Sequence, residues 1–135
     1  RYGSIYGPRA SKNNGINKIL NNALSRRKLE HGGSSQAQRK FIHIDDASNL
    51  SVDILNKKYA NTNILITGNK SYKVKQVLLL IAKKMKLKPK LVFRNFKNQA
   101  HYNINPYSYK KKKDKIVKNS FFIKLESYMN EIINN

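Results

Sequence analysis

Cysteine is absent from the chain, which excludes a disulfide framework, a thiolate nucleophile and any sulfur metal site, and fits an intracellular or organellar home. Long apolar runs are also missing. The longest, Val77 to Ala82, has six residues, against the roughly twenty a membrane-spanning helix needs, so no membrane partner is expected. Acidic residues are the scarcest charged type. From Ile54 to Lys113 there are sixty residues with no Asp or Glu and sixteen Lys and Arg. That block cannot neutralise itself, and the missing anion is expected from a partner.

The whole sequence of 135 residues carries 28 Lys and Arg against 7 Asp and Glu, a net charge of +21. Such a field attracts polyphosphate and opposes compaction of the isolated chain. A+T-rich codons would favour the 22 Lys, 18 Asn, 14 Ile and 8 Tyr. The same bias does not purge Glu, of which only three remain, so the asymmetry reads as selected. Leu, Ile, Val and Phe make up 36 residues, enough to clear the roughly 20% level below which charged chains stay disordered. One small domain with basic extensions is expected. The chain opens on Arg1 rather than Met, which is expected to follow a leader or an earlier segment.

Residues 1–14 read as an extended basic arm. From Ile16, the residues Ile19, Leu20, Ala23 and Leu24 recur on one helical face, with Gly32-Gly33 as the stop, so residues 15–40 are read as an N-terminal helix and a polar linker from Ser34 to Lys40. Residues 41–96 are read as an α/β core. In it a strand at Phe41–Ile44 precedes a helix from about Leu50 to Tyr59, a strand at Asn63–Thr67, a helix over Tyr72–Leu87 and a strand at Leu91–Phe93. The fold class is therefore α/β, a small strand-helix-strand-helix-strand body with parallel pairing, flanking N- and C-terminal helices and extended basic arms. Residues 97–119 form a Tyr/Lys-rich extension, and residues 120–135 a final helix striped by Phe121, Leu125, Tyr128 and Ile132.

Basic residues interleaved with aromatics are the main functional signal, because rings stack on unpaired bases while cations track phosphates. The candidate RNA-binding set is Arg1, Tyr2, Tyr6, Arg9 and Lys12 in the arm, Arg26 and Arg27 closing the first helix, and Lys70, Lys73, Lys83, Lys84, Arg94 and Lys97 centrally. Tyr107, Tyr109, Lys110, Lys111, Lys112 and Lys113 complete it. Phe93 is expected in the core. Lys outnumbers Arg 22 to 6, which favours backbone and shape recognition over base reading.

Thr67-Gly68-Asn69-Lys70-Ser71 sits between a strand and a helix but lacks the glycines of a nucleotide-binding loop, leaving a single-phosphate site at the helix start as the functional reading and an ordinary strand-to-helix turn as the bland one. His43, Asp45 and Asp46 offer a divalent-metal alternative, and a capping turn as the bland one. His31 and His101 are assigned no role. Leu79 and Leu80, off the main apolar face of their helix, suggest a protein neighbour.

These features converge on a structural RNA-binding protein with no catalytic residue, cofactor, metal or small-molecule substrate. Its expected partners are ribosomal RNA and neighbouring ribosomal proteins, and its expected place a mitochondrial ribosome, with another organelle or the cytoplasm as the alternative. A nucleic-acid-processing enzyme with its metal near His43, or a DNA-packaging protein, are the alternatives.

Overall fold

The computed structural model describes residues 1–88, 90–94, 113–116 and 121–134. Residues 97–112 of the expected basic extension lie outside them, including Lys97, Tyr107, Tyr109 and Lys110 to Lys112.

The segment expected as a free arm is built into the body. Ser4–Tyr6 forms strand β1, and Gly7 follows with a φ of 141° that favours glycine. Asn14 then caps helix α1 (Gly15–Arg26), its Oδ1 accepting from the amides of Ile16 and Asn17 at 3.1 and 3.3 Å. Its Nδ2 donates to Ile5 O at 2.8 Å, which ties the helix start to β1. Ile16, Ile19, Leu20 and Ala23 are buried as their spacing implies, whereas Leu24 is 39% exposed. The helix stops at Arg26, well before Gly32, because Arg27 turns left-handed (φ 48°) and the amides of Arg27 and Lys28 both donate to Asn22 O. The next residues extend as β2 (Leu29–Gly32).

Within the supposed linker, Gln38–Arg39 forms the short strand β3. β4 (Phe41–His43) follows, and helix α2 (Ile44–Asp53) begins at once. This is earlier than the expected start near Leu50, because His43 Nδ1 accepts the Asp45 amide at 3.3 Å and Asp45 and Asp46 occupy the favoured first turn. After a 3-10 turn at Lys57–Tyr59 come β5 (Ile64–Thr67), β6 (Tyr72–Lys73), α3 (Val74–Lys84) and β7 (Leu91–Arg94). Among the described residues, β8 (Lys113–Ile116) and α4 (Phe121–Asn134) complete the chain.

β4, β5 and β7 do not form the single sheet their order suggests. β4 pairs in parallel with β1, β7 with β2 and β5 with β8, while β3 and β6 pair antiparallel. The opening residues link two of these pairs. The Arg1 nitrogen donates to Ile64 O at 2.7 Å and Gly3 N to Ile66 O at 2.8 Å, before Ser4 N turns to Lys40 O at 2.8 Å. A Cβ on Gly3 would lie 2.4 Å from Lys40 O, so only glycine permits this approach.

The main core gathers one face each of α1, α3 and α4 around Leu29, Phe41 and Tyr72. Val77, Leu78, Ile81 and Leu125 are fully buried, each removal from water contributing about 1.5–3 kcal/mol. Phe93 packs against this core as expected, and so does Leu80, which is therefore no marker of a neighbouring protein. Leu79 is exposed. A smaller cluster of Ile42, Ala47 and Ile66 lies under α2.

Candidate functional site

A cavity of about 680 Å³ opens between the first half of α1, β1 and the C-terminal ends of β2 and β7. That volume lies in the range of small-molecule sites. Its floor is apolar, from Ile16, Ile19, Phe41 and Val77. Its wall is polar backbone, where Gly32 and Gly33 turn out of β2 with Gly33 at φ 124° and its amide donating to Arg94 O at 3.0 Å. The two glycines thus end a strand at the cavity rather than a helix.

The charge on the rim is lopsided. Lys18, Arg39 and Arg94 face a single carboxylate, Glu30. Arg94 Nη2 stands 3.4 Å from Glu30 Oε1, and its side chain is 61% exposed. An ion pair so exposed is worth only about 0–1 kcal/mol, so a ligand anion can compete for that guanidinium. Arg39 is held in place from β3, its Nη1 donating to Gln38 O at 2.6 Å. His31 meets Phe93 edge to face at 6.5 Å. Burial, and then the charge of Arg39, push its pKa below 6.5, so the imidazole is neutral at pH 7 and offers hydrogen bonds without charge. Asn14, Asn22 and Ser34 add polar groups. The arrangement fits an amphipathic anion, with its charge on the arginine forks and its apolar surface on the floor.

Of the candidate RNA-binding residues that are described, only Arg94 lines this cavity. Tyr6 is a core residue, 1% exposed, its ring 5.3 Å from His43 and 6.2 Å from Tyr128. Burial, then Asp46 and Tyr72, push its pKa up, and no base can stack on it. Tyr2 donates to or accepts from Ser51 Oγ at 2.7 Å. Arg9 and Lys12 are exposed in the connection before α1, Arg26 and Arg27 at the end of α1, and Lys70, Lys73 and Lys83 on the segment from β5 to α3, while Lys84 pairs with Glu126 at 2.6 Å. Lys113 enters only through its register opposite Ile64 in β8.

The amides at the start of α3, proposed as a phosphate site, are occupied. Lys73 N donates to Gln76 Oε1 at 2.9 Å, Val74 N to Ala37 O at 2.9 Å and Lys75 N to Ser35 O at 3.4 Å. His43 caps α2 by accepting the Asp45 amide, Asp45 lies beside it in the first turn, and Asp46 pairs with Lys124 of α4. Among the described residues no group of three His, Cys, Asp or Glu is arranged to hold a metal, which removes the basis of the metal alternative.

Sequence reasoning passed over Arg39, Glu30, His31, Lys18, Asn14 and Asn22. One signal was available: with so few arginines in a lysine-rich chain, an Arg two residues before the Phe41 strand marks a place where a planar fork matters.

Compared with solved structures, the described residues form a mixed α/β, Rossmann-like fold with four helices and small parallel sheets, similar to NAD-binding epimerases and dehydratases. It is similar to the dTDP-glucose 4,6-dehydratase of Bacillus anthracis in complex with NAD, with TM-score 0.77 and 18% identity, covering 100% of this chain and 44% of that one. The dTDP-glucose 4,6-dehydratase of Streptomyces venezuelae with NAD bound gives TM-score 0.76 and 14% identity, covering 100% and 43%. The UDP-glucuronic acid 4-epimerase of Bacillus cereus, in complex with UDP-glucuronic acid and NAD, gives 0.70 and 18%, covering 99% and 44%. This chain thus spans less than half the length of these structures. Comparison with curated protein sequences gives no match.

The family model for the NAD dependent epimerase/dehydratase family matches residues 1–68, and the chain belongs to that family. Membership overturns the expectation of a structural ribosomal protein bound to RNA, together with its alternatives. It equally overturns the expectations of no enzyme and no small-molecule substrate, since the family is one of epimerases and dehydratases. The +21 charge misled because charge reports on association with anions, not on fold.

The family's cofactor does not fit the residues present. A dinucleotide pyrophosphate needs glycines that let backbone approach it at a strand-to-helix turn. The sequence contains no G-x-G-x-x-G. At the turn after β5 a Cβ on Gly68 would lie 2.0 Å from Phe41 O, so that glycine serves packing against the protein's own backbone and opens no cradle.

Proposed function

We propose that this chain forms the sugar-nucleotide side of an NAD-dependent epimerase or dehydratase. The observation that carries the reading is the cavity itself: Arg39 and Arg94 stand over an apolar floor in a member of a family whose solved relatives include one in complex with UDP-glucuronic acid and NAD. In this reading the diphosphate lies against Arg39 and takes Arg94 from Glu30. The base and sugar spread over the Ile16 and Phe41 floor, with Asn14, Asn22 and Ser34 fixing their orientation. These residues bind and orient, and neutral His31 supplies a hydrogen bond without drawing a second anion.

Titration calorimetry of the chain with UDP-glucuronic acid and dTDP-glucose tests this. Sugar nucleotides are expected to bind and the free sugars not to. Arg39→Ala should weaken binding roughly ten- to hundredfold, the worth of a charged hydrogen bond, and Arg94→Ala less, because of its exposure. Equal binding of free sugar, or an unchanged affinity in Arg39→Ala, would refute the assignment.

A further inference from the structure

The two helices that lead into the β2–β7 pair end in the same strained way. α1 closes on Arg27 at φ 48°, and the turn after α3 passes through Lys86 at φ 50°. Glycine or asparagine is the unstrained residue for such a left-handed position. A cation needs no left-handed site to complement a helix dipole, since the last turn serves as well. Keeping a strained cation at both ends points instead to a role for the charge.

Topology brings these ends together. β2 and β7 are parallel with Leu29 beside Leu91, so Arg26, Arg27 and Lys28 reach the same end of the pair as Lys86, Lys88 and Lys90. The cavity lies at the other end, around Gly32 and Arg94. All six cations are exposed, and none has an ion pair among the described residues, Glu126 being taken by Lys84.

We propose that this end face docks on an anionic lipid surface, independently of the sugar-nucleotide reading. No aromatic ring occurs in residues 24–28 or 83–90, so base stacking is not on offer. Lysines predominate there, point charges suited to a diffuse anionic surface rather than to a bidentate partner. Leu24, 39% exposed on the last turn of α1, supplies an apolar side chain that can enter the headgroup boundary beside the cations.

The test is co-sedimentation of the full chain with vesicles of phosphatidylcholine alone and of phosphatidylcholine mixed with phosphatidylserine, at low and moderate salt. Retention is expected only on the mixed vesicles, and less of it as salt rises. The double variant Arg27→Gly and Lys86→Gly should lower partitioning roughly thirtyfold at two surface cations lost. Its Tm should be unchanged or higher, because glycine relieves both left-handed residues. Lys57→Gln with Lys58→Gln, an equal loss of charge elsewhere, should retain most of the binding. The proposal is overturned by retention that does not depend on phosphatidylserine or is absent, by an equal loss in the control pair, or by tighter binding of structured RNA or polyglutamate than of vesicles at the same salt.

Discussion

Residues 54–113 and residues 1–53 make opposite impressions in sequence and exchange roles in the fold. The later stretch, without a single acid, announces a polyanion partner. In the structure the longest described element of that stretch, α3, turns Val77, Leu78 and Ile81 into the core and holds Lys75 and Lys83 in solvent. The earlier stretch, with an ordinary mixture of charges, supplies most of the cavity: Asn14, Lys18, Glu30, His31 and Arg39. Charge density therefore marks the solvated faces of this molecule, whereas the site lies where a few arginines meet an apolar floor.

The most damaging way to probe this division is to cut into the support. Ile81 is completely buried in α3, and Ile81→Ala is expected to cost about 2–5 kcal/mol in denaturant unfolding. Sugar-nucleotide affinity of the folded protein should meanwhile hold, because Ile81 does not line the cavity. A parallel loss of affinity would show that the later stretch shapes the site directly.

A smaller effect should come from pH. His31 has its pKa lowered from 6.5 by burial and by Arg39, so below that value the unfolded chain takes up a proton that the folded one resists. Stability should therefore be full above about pH 6.5 and fall as pH drops towards the lower folded value, and His31→Gln should flatten this part of the Tm–pH curve. A curve that is the same with and without His31 would place the acid sensitivity elsewhere.

Least of all should follow from neutralising the conspicuous lysines. Lys57→Gln, Lys58→Gln and Lys70→Gln lie on exposed turns, and each is expected to change stability by less than about 0.5 kcal/mol. A larger gain on losing charge would mean that self-repulsion of the acid-free stretch is a term the folded protein feels.

Much of the fold was legible where a local pattern decides the matter. The periodic apolar residues placed α1, α3 and α4, and the short run Ile64-Leu65-Ile66 placed β5. Errors fell where a partner decides. In sequence β2 reads as the end of a helix and β3 as a linker, because four or two residues carry no period of their own and become strands only beside β7 and β6. The start of α2 was misplaced because Asp45-Asp46 reads equally as a turn or as a first turn, and the ring of His43 settles it by capping. Hardly any of the site was legible. Arg94 stands out in sequence by its charge alone, and Arg39 is hidden in the supposed linker.

The sequence by itself determined which faces are buried and that the chain is a small α/β protein rich in positive charge, since helical spacing and net charge are properties of the linear order. Only the tertiary structure decided that residues 1–6 are bound into the body, that β2 lies beside β7, and that Arg39 and Arg94 share one cavity. Those outcomes depend on backbone hydrogen bonds and apolar contacts between residues tens of positions apart, and such pairing leaves no local signature in the chain.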